Sequence, residues 1–151
     1  NKPVPDGFVL MQSDELYPTI RLIPESAPDL TILCYGGLLP DVEQAIEELF
    51  SEHEILCDVI CPVQLYPFNN QPVIESVSKS GNLLIVEEGH SFAAFGSEVV
   101  AGIVENKPGM IKRLKRLSSL DHPIPCSGPL EEQTLPNTKS IISSALELFD
   151  E

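Results

Sequence analysis

The chain has 151 residues, the usual size of one domain, and 42% of them are hydrophobic. Its formal net charge of −14 argues against nucleic acid or an anionic membrane as the main partner, because those polyanions bind basic surfaces. No apolar run approaches the ~18 residues of a membrane-spanning helix, and the 4 cysteines form no C-x-x-C pair, which predicts a reduced, cytoplasmic protein.

Residues 1–28 are rich in proline and polar residues, and we predict a linker or N-terminal extension there with only short extended pieces. Residues 29–151 are predicted to form the folded domain. The apolar run Leu30–Tyr35 ends at Gly36-Gly37, which is typical of a strand covered on both faces. Pro40-Asp41 opens the first helix, with Asp41 as its predicted N-cap.

Short apolar runs and amphipathic segments then alternate to the end of the chain. We predict further strands over 55–60, 83–86 and 111–117, and further helices from Asn70 to Ser80, over 97–104 and over 138–149. Residues 111–117 also fit a helix, because their apolar residues are spaced by three. Residues 120–136 are predicted to form a Pro-rich loop. The alternation indicates an α/β fold with a mostly parallel sheet and helices on both faces.

A short basic run interrupts the acidic chain. Four of its 9 basic residues are Lys112, Arg113, Lys115 and Arg116. We interpret the run as a solvated strand face or a site of internal salt bridges rather than as a nucleic-acid patch.

Ligands in open α/β sheets bind beyond the carboxyl ends of the strands. In this chain those ends carry Gly36-Gly37, Cys61-Pro62 and the segment Glu87–Ser91. Neither a G-x-x-x-x-G-K-[ST] loop nor a G-x-G-x-x-G loop is present, so nucleotide binding has no motif. Glu87 and Glu88 are adjacent, so on a strand they point to opposite faces and form no acid/base pair.

The segment Gly89–Ala93 follows a strand and precedes a helix, as the nucleophile elbow of a serine hydrolase does. Ser91 would be the nucleophile, and Asp121 and His122 would supply the acid and base. The last glycine of the elbow is replaced by Ala93. A small serine hydrolase is therefore a minor alternative.

The three histidines form no spaced cluster, and no metal site is predicted. His53 is placed at a helix end and His122 in a loop. His90, at the carboxyl end of a strand, is interpreted as a loop-packing or interface residue rather than a catalytic one. The residues alone thus indicate a small doubly wound domain with no catalytic, cofactor-binding or metal-binding residue of its own.

Several segments together resemble the C-terminal domain of the beta chain of thiamine-diphosphate-dependent 2-oxo acid dehydrogenases, a domain type also found at the end of transketolase. They are Asp29–Gly37, Leu65–Asn69, Val73–Gly81, Leu83–Gly89, Phe95–Val99, Leu120–Pro125, Leu130-Glu131 and Leu135-Pro136. The resemblance covers about residues 29–149 in the same order and with similar spacing. It implies a three-layer α/β/α domain with a five-stranded, mostly parallel sheet and one antiparallel strand.

The resemblance also implies an accessory and assembly domain for the decarboxylating component of a pyruvate or branched-chain 2-oxo acid dehydrogenase complex, inactive by itself. Thiamine diphosphate and magnesium are expected in the parent enzyme and not on this domain, which lacks a G-D-G segment. The expected partners are the rest of the beta chain, the alpha chain, a second beta chain and the lipoyl acyltransferase core. The alternative parents are a transketolase and a xylulose-phosphate synthase.

Two segments depart from the pattern of the beta chains. Cys61–Gln64 stands where those chains usually have Asp-Leu-Arg, and Ala93-Ala94 replaces a Gly-Gly pair. These departures indicate an atypical member, such as a fused alpha–beta chain or one with a divergent substrate. For the interface with partners we predict Tyr66, Pro67, Phe68, His90 and Phe95, because large side chains in loops at the carboxyl edge of a sheet suit partner contacts.

Overall fold

The structure is a computed structural model that describes residues 7–150. The strands of that segment are β1 Phe8–Gln12, β2 Thr19–Pro24, β3 Leu30–Cys34, β4 Cys57–Pro62, β5 Asn82–His90 and β6 Arg113–Ser119. Its α-helices are α1 Leu39–His53, α2 Gln71–Ser80, α3 Phe95–Asn106, α4 Gly128–Thr134 and α5 Thr138–Asp150. None of these helices is both long enough and apolar enough to cross a membrane.

The strands form one sheet in the order β1-β2-β4-β3-β5-β6. Strands β4, β3, β5 and β6 are parallel, whereas β2 pairs antiparallel with both β4 and β1. The predicted α/β class, the mostly parallel sheet and the single strand of opposite direction are confirmed. The expected strand count of five was wrong, because the sheet has six strands.

Two of the six strands, β1 and β2, come from the segment predicted as a linker. Strands β1 and β2 form a hairpin that extends the sheet beyond β4. Leu22 and Phe8 bury their side chains against the core, and Arg21 forms an ion pair with Asp58 of β4. Of the prolines that suggested a linker, Pro18 lies at the turn before β2 and Pro24 at the end of β2, where a missing N–H costs little. Residues 1–6 of the predicted extension lie outside the described residues.

Helices cover both faces of the sheet and create two apolar layers. Helices α1 and α5 pack on one face, with Ile46 and Ile141 fully buried. Helices α2 and α3 pack on the other, with Val77 and Ile103 fully buried. Every residue of β3 and β4 is buried, as expected for strands between two helical layers. This arrangement is the three-layer α/β/α architecture that the resemblance implied.

Some local expectations differ from the structure. Asp41 was predicted as the N-cap of α1, but that position is occupied by Leu38. The Asp41 carboxylate instead accepts hydrogen bonds from the backbone N–H (3.1 Å) and hydroxyl (2.8 Å) of Thr138, the first residue of α5. It thus satisfies a free N–H of a different helix. The predicted loop 120–136 contains the short helix α4, while residues 113–119 form a strand as expected.

Candidate functional site

The carboxyl ends of the parallel strands meet at one edge of the sheet. The β1–β2 turn lies at the same edge, because β2 runs in the opposite direction and Thr19 pairs with Pro62. Exposed large apolar side chains gather in the loops of this edge, and we call them the carboxyl-edge surface: Leu16, Tyr17, Val63, Tyr66, Phe92, Leu120 and Ile124. Exposed apolar side chains grouped in this way commonly mark a site of protein contact.

A groove of about 480 Å³ lies within this surface, between the loop after β4 and the start of α3. The Phe68 ring lies edge-on to Phe95 at a centroid distance of 4.9 Å. Phe95 in turn lies edge-on to Tyr35 at 5.5 Å. The T-shaped arrangement is the favoured one for aromatic rings and fixes the floor of the groove. Tyr66 stands at its margin with 93% of its surface exposed.

The structure brings most of the predicted interface residues together. Tyr66, Phe68 and Phe95 line the groove, and Pro67 lies between two of them, with its carbonyl accepting a hydrogen bond from Gln64 at 2.8 Å. Phe68 and Phe95 are partly buried against the core. Of the three aromatic residues that line the groove, Tyr66 therefore has the most surface left for a partner. That these residues contact a partner stays a prediction.

His90 lies apart from the groove, at the carboxyl end of β5. Its Nδ1 is 3.1 Å from the Leu120 carbonyl oxygen and 3.3 Å from the Ser119 hydroxyl. These contacts tie the loops after β5 and β6 together. They agree with the loop-packing interpretation, while a role at an interface stays a prediction.

Phe92, Leu16 and Tyr17 were not singled out from the sequence. Phe92 is 90% exposed and lies two residues after the end of β5. It satisfies the criterion applied to Tyr66, a large side chain in a loop at the carboxyl edge. Leu16 and Tyr17 fall in the segment predicted as a linker, and only its pairing as a hairpin places them at this edge.

A buried carboxylate organises the loop that carries Phe92. Glu87 is fully buried, and its Oε1 accepts hydrogen bonds from the Gly96 N–H at 2.9 Å and from the Tyr35 hydroxyl at 3.4 Å. Burial, and then the negative charge of Glu87, raises the pKa of Tyr35 to about 12. The carboxylate also lies at the N-terminus of α3, where the helix dipole favours a negative charge.

The neighbouring Glu88 is partly exposed, which agrees with the expectation that the two glutamates point to opposite faces. Arg116 of β6 completes the arrangement around Glu87, with its Nη2 at 3.9 Å from Glu87 Oε2. The same guanidinium donates a hydrogen bond to the Ser91 carbonyl, and Lys115 pairs with Glu147 of α5. The salt-bridge interpretation of the basic run is thus confirmed for these two residues.

The serine-hydrolase alternative finds no support in this geometry. Ser91, Asp121 and His122 are all exposed. The hydrogen bond recorded for the His122 ring is to the adjacent Pro123 carbonyl at 3.2 Å. Ser91 contributes its backbone carbonyl to the Arg116 contact. Nothing here shields or orients a nucleophile.

The fit of a metal-bound cofactor can be judged from the side chains. Magnesium prefers oxygen ligands that are grouped around it. Among residues 7–150, no three His, Cys, Asp or Glu side chains are grouped to hold a metal ion. Within this range, magnesium would thus find no preformed group of three such protein ligands.

Comparison with known proteins agrees with this architecture. The family described as "Transketolase, C-terminal domain" matches residues 20–141. One curated relative is the beta subunit of acetoin:2,6-dichlorophenolindophenol oxidoreductase of Bacillus subtilis, 28% identical over 91% of this chain and 41% of that protein. Another is the pyruvate dehydrogenase E1 component subunit beta of Mesostigma viride, 33% identical over 80% of this chain and 37% of that protein.

This chain thus spans about two fifths of the length of these relatives. Among solved structures, an inactive beta4 tetramer of a split gene transketolase superposes with a TM-score of 0.73 at 20% identity, covering 86% of this chain and 42% of that one. At this identity the likeness concerns the fold alone. The dehydrogenase-type beta subunits among the curated relatives do not favour a transketolase, a xylulose-phosphate synthase or a serine hydrolase as the parent. The match over residues 20–141 shows that the chain belongs to the transketolase C-terminal domain family.

Proposed function

We propose that this chain is the accessory and assembly domain of the decarboxylating component of a 2-oxo acid dehydrogenase complex. The observation that carries the proposal is the carboxyl-edge surface, which exposes large apolar side chains on an otherwise acidic protein. The similar proteins indicate the class of the parent enzyme, because these relatives are beta subunits of pyruvate dehydrogenase and of an acetoin oxidoreductase.

The physical case for a partner rests on the two most exposed aromatic residues. Tyr66 and Phe92 have 93% and 90% of their surface exposed. Aromatic residues are enriched among those that dominate binding energy, because each buries a large rigid area at a small entropy cost. The loops that carry them are held in place by the Phe68–Phe95 packing and by Arg116, so they present a preformed surface.

The proposed occupant of this surface is a second beta chain, with the remainder of the same beta chain and the alpha chain completing the enzyme. The lipoyl acyltransferase core is proposed as a further partner of the assembled enzyme. We assign thiamine diphosphate and magnesium to those other parts, and we expect the isolated chain to show no decarboxylase activity. A cytoplasmic location stays a prediction from the cysteine content.

Tyr66→Ala in the assembled parent enzyme tests the proposal. Association should weaken by about 2 kcal/mol, roughly thirtyfold in dissociation constant, as for a central interface aromatic. Phe50→Ala is the matched control, since Phe50 is 45% exposed near the end of α1, at the opposite edge of the sheet. Analytical ultracentrifugation would measure both variants.

Unchanged association of the Tyr66 variant, or equal loss in both variants, would contradict the proposed interface. Because Tyr66 makes little contact within the domain, its removal should leave folding intact. Phe68→Ala is a weaker test, since its ring packs on Phe95 and its loss also disturbs the core.

A further inference from the structure

Two cysteines lie side by side at the carboxyl ends of β3 and β4. In the parallel register of these strands, Leu30 pairs with Cys57 and Leu33 with Ile60. One step further along, Cys34 stands opposite Cys61. Both side chains enter the apolar layer under α1 and α5.

The spacing suits a covalent link between the two sulfur atoms. Neighbouring strands are ~4.8 Å apart, and disulfides join Cα atoms that are about 4.4–6.8 Å apart. The register places the two side chains next to each other on the same face of the sheet. A bridge therefore requires little movement of either strand.

The other cysteines of the chain provide internal references. Cys57 is fully buried on the same face of β4, but it lies four residues from Cys61, about 13 Å along the strand. Burial raises its pKa well above the usual thiol range. Cys126 is exposed in the loop before α4. Neither stands beside another thiol in the register described above.

The two members of the pair are not equivalent. Cys34 has none of its surface exposed. Cys61, the second-last residue of β4, has 6% of its surface exposed. The hydrogen bond from Cys34 lowers the pKa of Cys61, while the same contact and then burial raise the pKa of Cys34. The charge of Glu43 on α1 acts against ionisation of both thiols. Cys61 is thus the more accessible and the more acidic of the two.

We propose that Cys34 and Cys61 form a redox-active dithiol, which hydrogen peroxide converts into a disulfide between β3 and β4. The Cys61 thiolate attacks one peroxide oxygen, the O–O bond breaks, and the leaving hydroxide takes up the released thiol proton as water. The Cys34 sulfur then attacks the sulfenic acid of Cys61 and displaces a second water. Two thiols and one peroxide give one disulfide and two waters, with two electrons passing from sulfur to oxygen.

This site is independent of the proposed function. Cys61 lies in the segment Cys61–Gln64, where the chain departs from the Asp-Leu-Arg pattern of the beta chains it resembles. The disulfide would fix the ends of two strands directly beneath the loop that carries Tyr66. Only Cys61 needs access to the oxidant, because the second step occurs within the core.

The test is thiol mapping of the folded chain in a Cys126→Ser background, which removes the exposed thiol. The protein is treated with hydrogen peroxide, then denatured in an alkylating reagent, digested and analysed by mass spectrometry. We expect a Cys34–Cys61 linked peptide, and we expect both thiols to be lost more than about ten times faster than the Cys57 thiol. Loss of all three at the same rate, or linkage only when peroxide is added in denaturant, would overturn the proposal.

Single substitutions separate the two roles. With Cys34→Ser, Cys61 should still be oxidised and should be trapped as a sulfenic acid by a 1,3-dione probe. With Cys61→Ser, Cys34 should react as slowly as Cys57. Trapping at Cys34 and not at Cys61 would contradict the assignment. Circular dichroism of each variant establishes that the comparison is made on folded protein.

Discussion

Arg21 and Asp58 are joined by two charge-assisted hydrogen bonds, Nε to Oδ1 at 2.9 Å and Nη2 to Oδ2 at 2.6 Å. The Asp58 side chain is 1% exposed, so the pair lies almost entirely within the fold. It connects β2, the antiparallel strand, to β4 of the parallel core. The hydrogen bond to Asp58 raises the pKa of Arg21, which keeps the guanidinium charged.

Asp58→Asn should lower the free energy of unfolding by about 3–5 kcal/mol, because it leaves the Arg21 charge largely buried without its partner. Urea denaturation followed by circular dichroism would measure the loss. Glu75→Gln is the control, since the Glu75 side chain is 52% exposed and its carboxylate is 3.6 Å from Arg21. Exposed pairs contribute less than about 1 kcal/mol. Similar losses in the two variants would contradict the larger contribution that is expected of the buried Arg21–Asp58 pair.

Gly96 tests the close approach of β5 to the start of α3. A Cβ at this position would lie 2.6 Å from Glu87 Oε2 and 2.7 Å from Ile85 Cγ2. Gly96→Ala should therefore cost about 1–3 kcal/mol of stability by overpacking. Gly89→Ala is the matched control, because no atom lies within 4 Å of its Cβ position. An unchanged melting temperature of the Gly96→Ala variant would contradict the tight contact.

Ala93 occupies the left-handed region with φ 52°, which is unfavourable for any residue with a Cβ. Ala93→Gly should raise stability by up to about 1 kcal/mol, since the native conformation favours glycine there. Ala94→Gly should instead be neutral or destabilising, because φ at this position is −79° and the glycine only adds freedom to the unfolded chain. Melting temperatures of the two variants should differ in sign. A lower melting temperature for Ala93→Gly would contradict the strain.

Tyr35 should ionise at a pKa of about 12, above the usual value of about 10. Folding favours its neutral form, so the stabilisation is complete below pH ~10 and is lost as the pH rises toward 12. The difference in phenolate absorbance between the wild type and Tyr35→Phe would isolate this titration. Glu87→Gln should lower its midpoint only in part, because burial is the larger cause. A midpoint near 10 in the wild type would contradict the assigned environment.

The sequence was most informative where the local apolar pattern matches the periodicity of a single strand or helix. The apolar run Leu30–Tyr35 predicted a strand, and Leu30–Cys34 forms one. The segment from Asn70 to Ser80 predicted a helix, and α2 spans Gln71–Ser80 with Gly81 in the left-handed conformation after it. Tyr66, Phe68 and Phe95 were predicted as interface residues because they lie in loops at the carboxyl edge of the sheet, and they line one groove.

Prediction failed where structure depends on pairing with distant residues. Residues 1–28 were predicted as a linker with only short extended pieces, and pairing with β4 makes Thr19–Pro24 a strand of the sheet. Asp41 fits an N-cap by local pattern, but its carboxylate serves α5, 97 residues later. Phe92 was left out of the predicted interface, although it too is a large side chain in a loop at the carboxyl edge of the sheet.

The sequence by itself determined the alternation of strands and helices, and therefore the α/β class, because apolar spacing decides which faces each segment can bury. Only the tertiary structure decided the sheet order, the pairing of Arg21 with Asp58 and the meeting of Cys34 with Cys61. These contacts depend on the register between strands that are far apart in the chain. Local patterns do not specify that register, since it results from the packing of the whole sheet between its two helical layers.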